Sequence, residues 1–192
     1  MMNENIFTYS LEFPSFSIDF EVDRQLSVEW TQRFDYHGPD FVYVVAETWL
    51  NAQNVRHLII PMTRPANLIE EFKHLSMQLC SSTEASNLQN LIPRGGWAAW
   101  MRGYWDRLNA DTAVPDDEEN YEKLIPLSLL DSRVGHLAAY VYNGEPTIEV
   151  ATRSMEGGAV INVWSAFDPK KTAGEIHELQ QSMKAKILSF AN

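Results

Sequence analysis

The side chains whose spacing could do chemistry are mainly carboxylates, and the first group of them follows an alternating pattern. Asp19, Glu21 and Asp23 alternate with apolar residues, so in a strand all three would point to one face of a sheet. Glu29 and Asp35 hold polar positions in the next alternating run, and a hairpin would bring them to the same face. Like charges on opposed strands destabilise a sheet by up to about 1 kcal/mol. We therefore expect this face to bind a basic partner.

A second acidic group is a run of four consecutive acids in a polar segment. It consists of Asp116, Asp117, Glu118 and Glu119. The run lacks the alternating oxygen ligands of a calcium loop. It is predicted as a second contact for a basic partner. For both acidic groups, ordinary solvated surface charge is the alternative interpretation.

An aromatic-rich stretch follows a pair of glycines in the middle of the chain. Its apolar residues recur at offsets 0, 3, 4, 7, 8 and 11 from Trp97, the spacing of one helix face. A core helix is the main interpretation. Trp97 and Trp100 open this helix, so they are predicted to be partly exposed and are the alternative candidates for an apolar contact with a partner.

No catalytic or metal-binding motif is present in the sequence. The two Gly-Gly pairs lack the context of a phosphate-binding loop, and there is no Gly-x-Ser-x-Gly elbow. The histidines do not occur in pairs with zinc-ligand spacing. Cys80 is predicted to be a buried thiol near the end of an amphipathic helix rather than a nucleophile. We therefore predict no catalytic residue, no metal and no cofactor.

These side chains must be positioned by strands and helices that the apolar periodicity predicts. Alternation predicts strands at 7–13, 16–22 and 26–36, with either a bulge or a tight turn at Pro14-Ser15. The run 41–46 is apolar on both faces, which predicts a central strand, and a further short strand is predicted at 55–60. Helical spacing covers 66–79, 84–91 and 97–108. Strands return at 137–142, 147–152 and 159–167, before a last helix capped by Asp168. The predicted class is α+β, with a mostly antiparallel sheet built from N- and C-terminal meanders, two to three central helices and a C-terminal helix packed on the sheet.

Composition limits the classes of function. The 192 residues are 45% apolar and 21% charged, which is typical of a globular protein, and one domain over residues 1–192 is expected. The net charge of −11 disfavours nucleic acid as a partner. No apolar run approaches the roughly 20 residues of a membrane helix, and the first residues lack the pattern of a signal peptide. We expect a cytoplasmic protein that does not bind membranes.

A small, acidic chain without motifs is similar in general build to the immunity proteins that neutralise bacterial toxins. That resemblance implies a non-catalytic inhibitor whose acidic surface covers a basic protein, with complementary charge steering the encounter. Two alternatives stay open. One is a subunit or binding module of a larger assembly, and the other is an enzyme whose acid–base groups come from distant parts of the chain.

Overall fold

The computed structural model describes residues 5–34, 41–61, 68–81, 92–112, 125–127 and 135–191. These residues form two antiparallel sheets, each of four strands in sequential order. The strands of the first sheet are β1 Ile6–Phe13, β2 Phe16–Asp23, β3 Ala46–Ala52 and β4 Val55–Ile60. Those of the second sheet are β5 Ile125–Leu127, β6 Gly135–Tyr142, β7 Glu145–Arg153 and β8 Val160–Ala166. The helices are α1 Arg24–Arg33, α2 Leu68–Ser81, α3 Trp97–Asn109 and α4 Pro169–Ala191.

The predicted α+β class with antiparallel meanders is confirmed. Of the two possibilities at Pro14-Ser15, the structure has a tight turn, because Phe13 and Phe16 are paired across β1 and β2. The Asn143-Gly144 pair makes the expected hairpin turn, with φ of 50° and 79°. Asp168 caps α4 by accepting hydrogen bonds from the backbone N–H groups of Lys170 and Lys171.

The main hydrophobic core lies between the inner faces of both sheets and the helices α2 and α4. Alternate residues of β2, among them Ile18 and Phe20, are fully buried there. Phe72 of α2 meets Phe20 edge-to-face, with ring centroids 5.0 Å apart. Ile148 and Val150 of the second sheet belong to the same cluster. A prediction of one domain over residues 1–192 remains a prediction, and this shared core is consistent with it.

A second, smaller cluster lies on the other face of the second sheet. There α3 packs through Trp97 and Met101 onto Ala138 and Tyr140 of β6. The second sheet is therefore covered on both faces. The first sheet has its packed helices on the inner face, while the outward residues of β2 remain partly exposed.

The strand predicted at 26–36 is wrong, because residues 24–33 form α1. Asp23 begins this helix, and its Oδ1 accepts a hydrogen bond of 2.8 Å from the backbone N–H of Leu26. Ser27 and Thr31, one turn apart, lie on the buried side. Their hydroxyl oxygens accept from the N–H groups of Val45 and Tyr43 at 3.0 Å each. The hydroxyl groups of the helix thus accept the backbone hydrogen bonds of Tyr43 and Val45 that the carbonyl groups of a neighbouring strand would otherwise accept.

The strand predicted at 41–46 is displaced, because β3 begins only at Ala46. Residues 41–45 lie beside α1, and the carbonyl of Val45 accepts from the N–H of Asp23. The helix predicted at 84–91 lies outside the described residues. None of the helices within the described ranges combines the length and the apolar character that a membrane span requires.

Candidate functional site

The outer face of the first sheet carries four carboxylates on three adjacent strands. Asp19 and Glu21 of β2 point outward, because the alternate positions of β2 are buried apolar residues. The register places Glu21 directly opposite Glu47 of β3. Glu12 of β1 lies on the same face, opposite Ser17. Side chains opposed in this way are about 5 Å apart at Cβ, so the negative charges are close together.

One guanidinium contacts this acidic face. Nη2 of Arg56 lies 2.7 Å from Oε1 of Glu21, and the guanidinium carbon lies 4.1 Å from the ring centroid of Trp49. The indole N–H of Trp49 donates to Glu47 at 3.2 Å, and the hydroxyl of Ser10 donates to Asp19 at 2.8 Å. The described side chains of the face thus include four carboxylates and one guanidinium, which pairs with Glu21. We call the set Glu12, Asp19, Glu21, Glu47, Trp49 and Arg56 the acidic face.

The structure keeps part of the predicted acidic site and removes part of it. Asp19, Glu21 and Asp23 do point to one side of β2, as the alternation predicts. Asp23, however, caps α1 and is committed to the backbone there. Glu29 is not in a paired strand: it lies on α1 and accepts a hydrogen bond from Gln25. The prediction that Glu29 belongs to this face is therefore wrong.

The remaining predicted acids lie outside the described residues. These are Asp35 and the run Asp116, Asp117, Glu118 and Glu119. Their predicted contact with a basic partner stays a prediction.

The prediction that Trp97 is partly exposed is wrong, which removes the basis for its predicted apolar contact with a partner. Trp97 is fully buried beneath the second sheet and meets His136 edge-to-face, with centroids 5.7 Å apart. Trp100 is half-buried and stacks on Tyr104 at 5.8 Å. The exposed end of the stripe is instead Trp105, which keeps 45% of its surface in solvent. Trp97 and Met101, in the first two turns of α3, pack on the sheet, and Trp105 lies beyond them.

A buried glutamate that sequence patterns did not single out holds the start of α3. Glu149 of β7 is fully buried. Its carboxylate accepts from the backbone N–H of Trp97 at 3.1 Å and of Ala98 at 3.4 Å, and from the hydroxyl of Tyr140 at 2.8 Å. Gly96, at the cap position itself, has no side chain to do this. A strand of the second sheet therefore supplies the cap that α3 lacks.

Other contacts fix the loop before α3 to the same sheet. The N–H of Gly95 donates to the oxygen of Tyr140 at 3.0 Å, and Asn162 donates to the carbonyl of Gly95 at 2.7 Å. Arg94 pairs with Glu145 and lies over the ring of Trp164 at 4.7 Å. We call residues 94–98, with the strand side chains that hold them, the α3 clamp.

Burial changes the acid–base properties of the α3 clamp. Loss of hydration raises the pKa of Glu149, against the opposing effect of the hydrogen bonds that its carboxylate accepts. Burial, and then the neighbouring Glu149, raise the pKa of Tyr140. The Tyr140 hydroxyl therefore stays protonated and can donate to Glu149 at any ordinary pH. Both groups are inaccessible to solvent. Their shifted pKa values are therefore a consequence of packing and do not indicate a catalytic cleft.

A groove of about 630 Å³ lies between α3 and the ends of β6, β7 and β8. Its lining includes Arg102, Trp105, His136, Arg153 and Val160. Loss of hydration and the nearby Arg102 lower the pKa of His136, so its imidazole is neutral at pH 7. Among the described residues no hydrogen bond links His136 to a carboxylate, which a catalytic base would need for orientation.

Two further expectations concern metal binding and Cys80. The described part of the chain contains no group of three or more His, Cys, Asp or Glu side chains that could hold a metal ion. Cys80 is exposed, which corrects the predicted buried thiol. The buried stripe of α2 passes through Leu75 and Leu79, and the next position along the helix turns out to solvent.

Comparison of the chain with protein-family models, with curated proteins and with solved structures finds no match.

Proposed function

We propose that this protein is a non-catalytic binding protein whose acidic face covers a basic partner protein. The observation that carries the proposal is the placement of Asp19, Glu21 and Glu47 on adjacent strands around the Trp49–Arg56 stack. Cross-strand repulsion between Glu21 and Glu47 is only partly relieved by Arg56. Lysine or arginine side chains of a partner would relieve the rest.

The side-chain types on the acidic face also suit protein binding. Tryptophan and arginine are among the types most often found as interface hot spots. Tryptophan buries a large area with two torsions to fix, and arginine offers a planar cation that stacks and donates several hydrogen bonds. Trp49 and Arg56 stack on each other, so part of that ordering is already present before binding. The surrounding carboxylates would steer a cationic partner toward this centre and raise its association rate.

The finer form of the proposal is inhibition of a basic toxin, as in the immunity proteins that the chain is similar to in general build. An inhibitor needs a stable surface and fast association rather than a catalytic site. A subunit of a larger assembly would use the same surface, and it is separated from an inhibitor by what the partner does when it is produced alone.

The experiment is affinity purification from the native cell, with partners identified by mass spectrometry. The test variant Asp19→Asn/Glu21→Gln/Glu47→Gln removes three charges from the acidic face. The matched control Glu156→Gln/Glu175→Gln/Glu178→Gln removes three charges from exposed positions elsewhere. We expect one basic protein to be recovered by the wild type and the control, and to be lost from the test variant.

Two further readouts complete the test. Binding of the recovered protein should weaken with rising salt, because the contacts are between exposed charges. For an inhibitor, production of the partner alone should arrest growth, and co-production of this chain should restore it. Equal recovery by the test variant and the control, with both variants folded as judged by melting temperature, overturns the proposal.

A further inference from the structure

The groove between α3 and the second sheet differs in charge from the rest of the molecule. The chain has a net charge of −11, yet two arginines line this groove, Arg102 on α3 and Arg153 at the end of β7. Both side chains are exposed, and neither forms an ion pair with a carboxylate of the described residues. Asp106 is the acid that lines the groove within those residues. The local charge is therefore positive.

Apolar side chains form much of the remaining surface of the groove. Val160 keeps 67% of its surface exposed and Trp105 keeps 45%. Ala98 and Met101 also line the groove. Large apolar residues exposed beside unpaired cations are more typical of a contact surface than of a solvated one.

The dimensions of the groove suit a short stretch of polypeptide. Its α3 wall runs from Ala98 to Asp106, nine residues whose eight helical rises span roughly 12 Å. An extended chain of about four residues covers that length. The opposite wall is formed by the outward residues of β8, Val160 and Asn162, and by the ends of β6 and β7.

We propose that this groove binds an acidic peptide segment of a partner protein, with the carboxylates of the peptide on Arg102 and Arg153 and its apolar side chains against Trp105 and Val160. Arginine suits this role because its planar guanidinium can hold a carboxylate by two parallel hydrogen bonds. The site is separate from the acidic face and selects the opposite charge.

The test measures fluorescence anisotropy of the full chain with three labelled peptides of the same length. One alternates Leu and Glu, the second Leu and Gln, and the third Leu and Lys. We expect the Glu peptide to bind more tightly than the Gln peptide, although the net charge of the protein repels it. Arg102→Gln/Arg153→Gln should weaken the Glu peptide by roughly ten-fold or more and bring its affinity to that of the Gln peptide.

The control Lys170→Gln/Lys171→Gln removes two exposed cations from the first turn of α4 and should leave the Glu peptide unaffected. Trp105→Ala should weaken the Glu and Gln peptides alike, since it removes apolar contact. Equal affinity of the wild type for the Glu and Gln peptides overturns the proposal. An equal loss of affinity for the Glu peptide in the arginine and the lysine double variants also overturns it. The Lys peptide is expected on the acidic face, so its binding reports on the proposed function independently.

Discussion

The two sheets have the same strand order and each is followed by a long helix, yet their outer faces differ. On the first sheet, Glu21 points into solvent and pairs with Arg56. On the second sheet, α3 covers the equivalent face, and Glu149 is sealed beneath it. Glu21 and Glu149 both point to the outer face of their sheets, but Glu21 is part of an exposed surface and Glu149 is buried where α3 meets the sheet. Their difference in burial comes from the helix that covers the second sheet, and the sequence of the strand alone does not predict it.

The two glutamates, Glu21 and Glu149, differ in how much they contribute to the free energy of unfolding. An exposed ion pair such as Glu21–Arg56 contributes about 0.2–1 kcal/mol. Glu149 accepts from two backbone N–H groups and a hydroxyl, and each buried donor left without its acceptor costs about 1–3 kcal/mol. Substitutions on the acidic face should therefore cost little stability, while those in the α3 clamp should cost much more.

Replacing Glu149 should give the largest difference between the sheets. In Glu149→Leu the buried N–H of Trp97, the part-buried N–H of Ala98 and the buried hydroxyl of Tyr140 lose their acceptor. We expect a loss of about 3 kcal/mol or more in the free energy of unfolding, measured by urea denaturation. Glu47→Leu on the open face is the matched control and should change stability by less than about 0.5 kcal/mol. Similar losses in both variants would remove the contrast between the two faces.

A methyl group at Gly95 should be the next most damaging change. Gly95 has φ of +75°, and a Cβ there would lie 2.6 Å from Cδ1 of Trp164. We expect Gly95→Ala to cost roughly 2 kcal/mol, from the left-handed backbone and the forced movement of the indole. Gly157→Ala, where a Cβ meets nothing within 4 Å, serves as the control in thermal unfolding. A Gly95→Ala protein as stable as this control would show that the α3 clamp is loose.

The raised pKa of Glu149 predicts a contribution of this residue to the pH dependence of stability. Between the ordinary value of 4.5 and the higher native pKa, the native state holds more protons than the unfolded state. The contribution of Glu149 to stability is therefore greatest at or below pH 4.5, falls as the pH rises, and is constant above the native pKa. Urea denaturation from pH 4.5 upward should show this fall in the wild type relative to Glu149→Gln. A difference that rises with pH has the wrong sign for a buried carboxyl.

Removing the cap of α1 should cost less than removing the cap of α3. Asp23→Ala leaves the N–H of Leu26 without its acceptor at a partly exposed position, for a loss of about 1 kcal/mol. Asp19→Ala removes an exposed bond to Ser10 and should be nearly neutral. Melting temperatures that rank these two variants in the opposite order would contradict the role of Asp23 as a stabilising cap.

The smallest effect is expected for Arg56→Ala. It removes an exposed ion pair and a stacking contact, so the free energy of unfolding should fall by about 0.5 kcal/mol. The tryptophan emission should nevertheless change, because Trp49 loses the guanidinium over its ring. Glu149→Leu has the opposite pattern, a large stability loss from a single buried position. A loss of several kcal/mol in Arg56→Ala would make the acidic face a structural element.

Local patterns predicted most of the fold because strands and helices bury one face at a characteristic period. The alternation at 16–22 and the stripe beginning at Trp97 both led to the observed elements. The strand prediction failed at residues 24–33 because Leu26, Val28 and Trp30 alternate with polar residues. In the helix that forms there, the buried side consists of Ser27 and Thr31. An Asp cap at position 23 and the Gln25–Glu29 pair one turn apart were the helical signals available in the sequence.

The candidate site was predictable only where it follows from one strand. Asp19 and Glu21 follow from the parity of β2, but Glu47, Trp49 and Arg56 join them through strand register, which single-sequence patterns do not fix. Glu149 sits between Ile148 and Val150 and looks like any outward strand residue. Only the packing of α3 over that face makes it a buried cap.

The acidic face as a docking surface is tested most directly by zero-length carbodiimide cross-linking of the purified complex, with mass spectrometry of the joined peptides. Partner lysines should be joined to Asp19, Glu21 or Glu47, and these cross-links should disappear in high salt. Cross-links that join the partner to Glu175 and Glu178 of α4, with none to the three acids of the first sheet, would contradict the account.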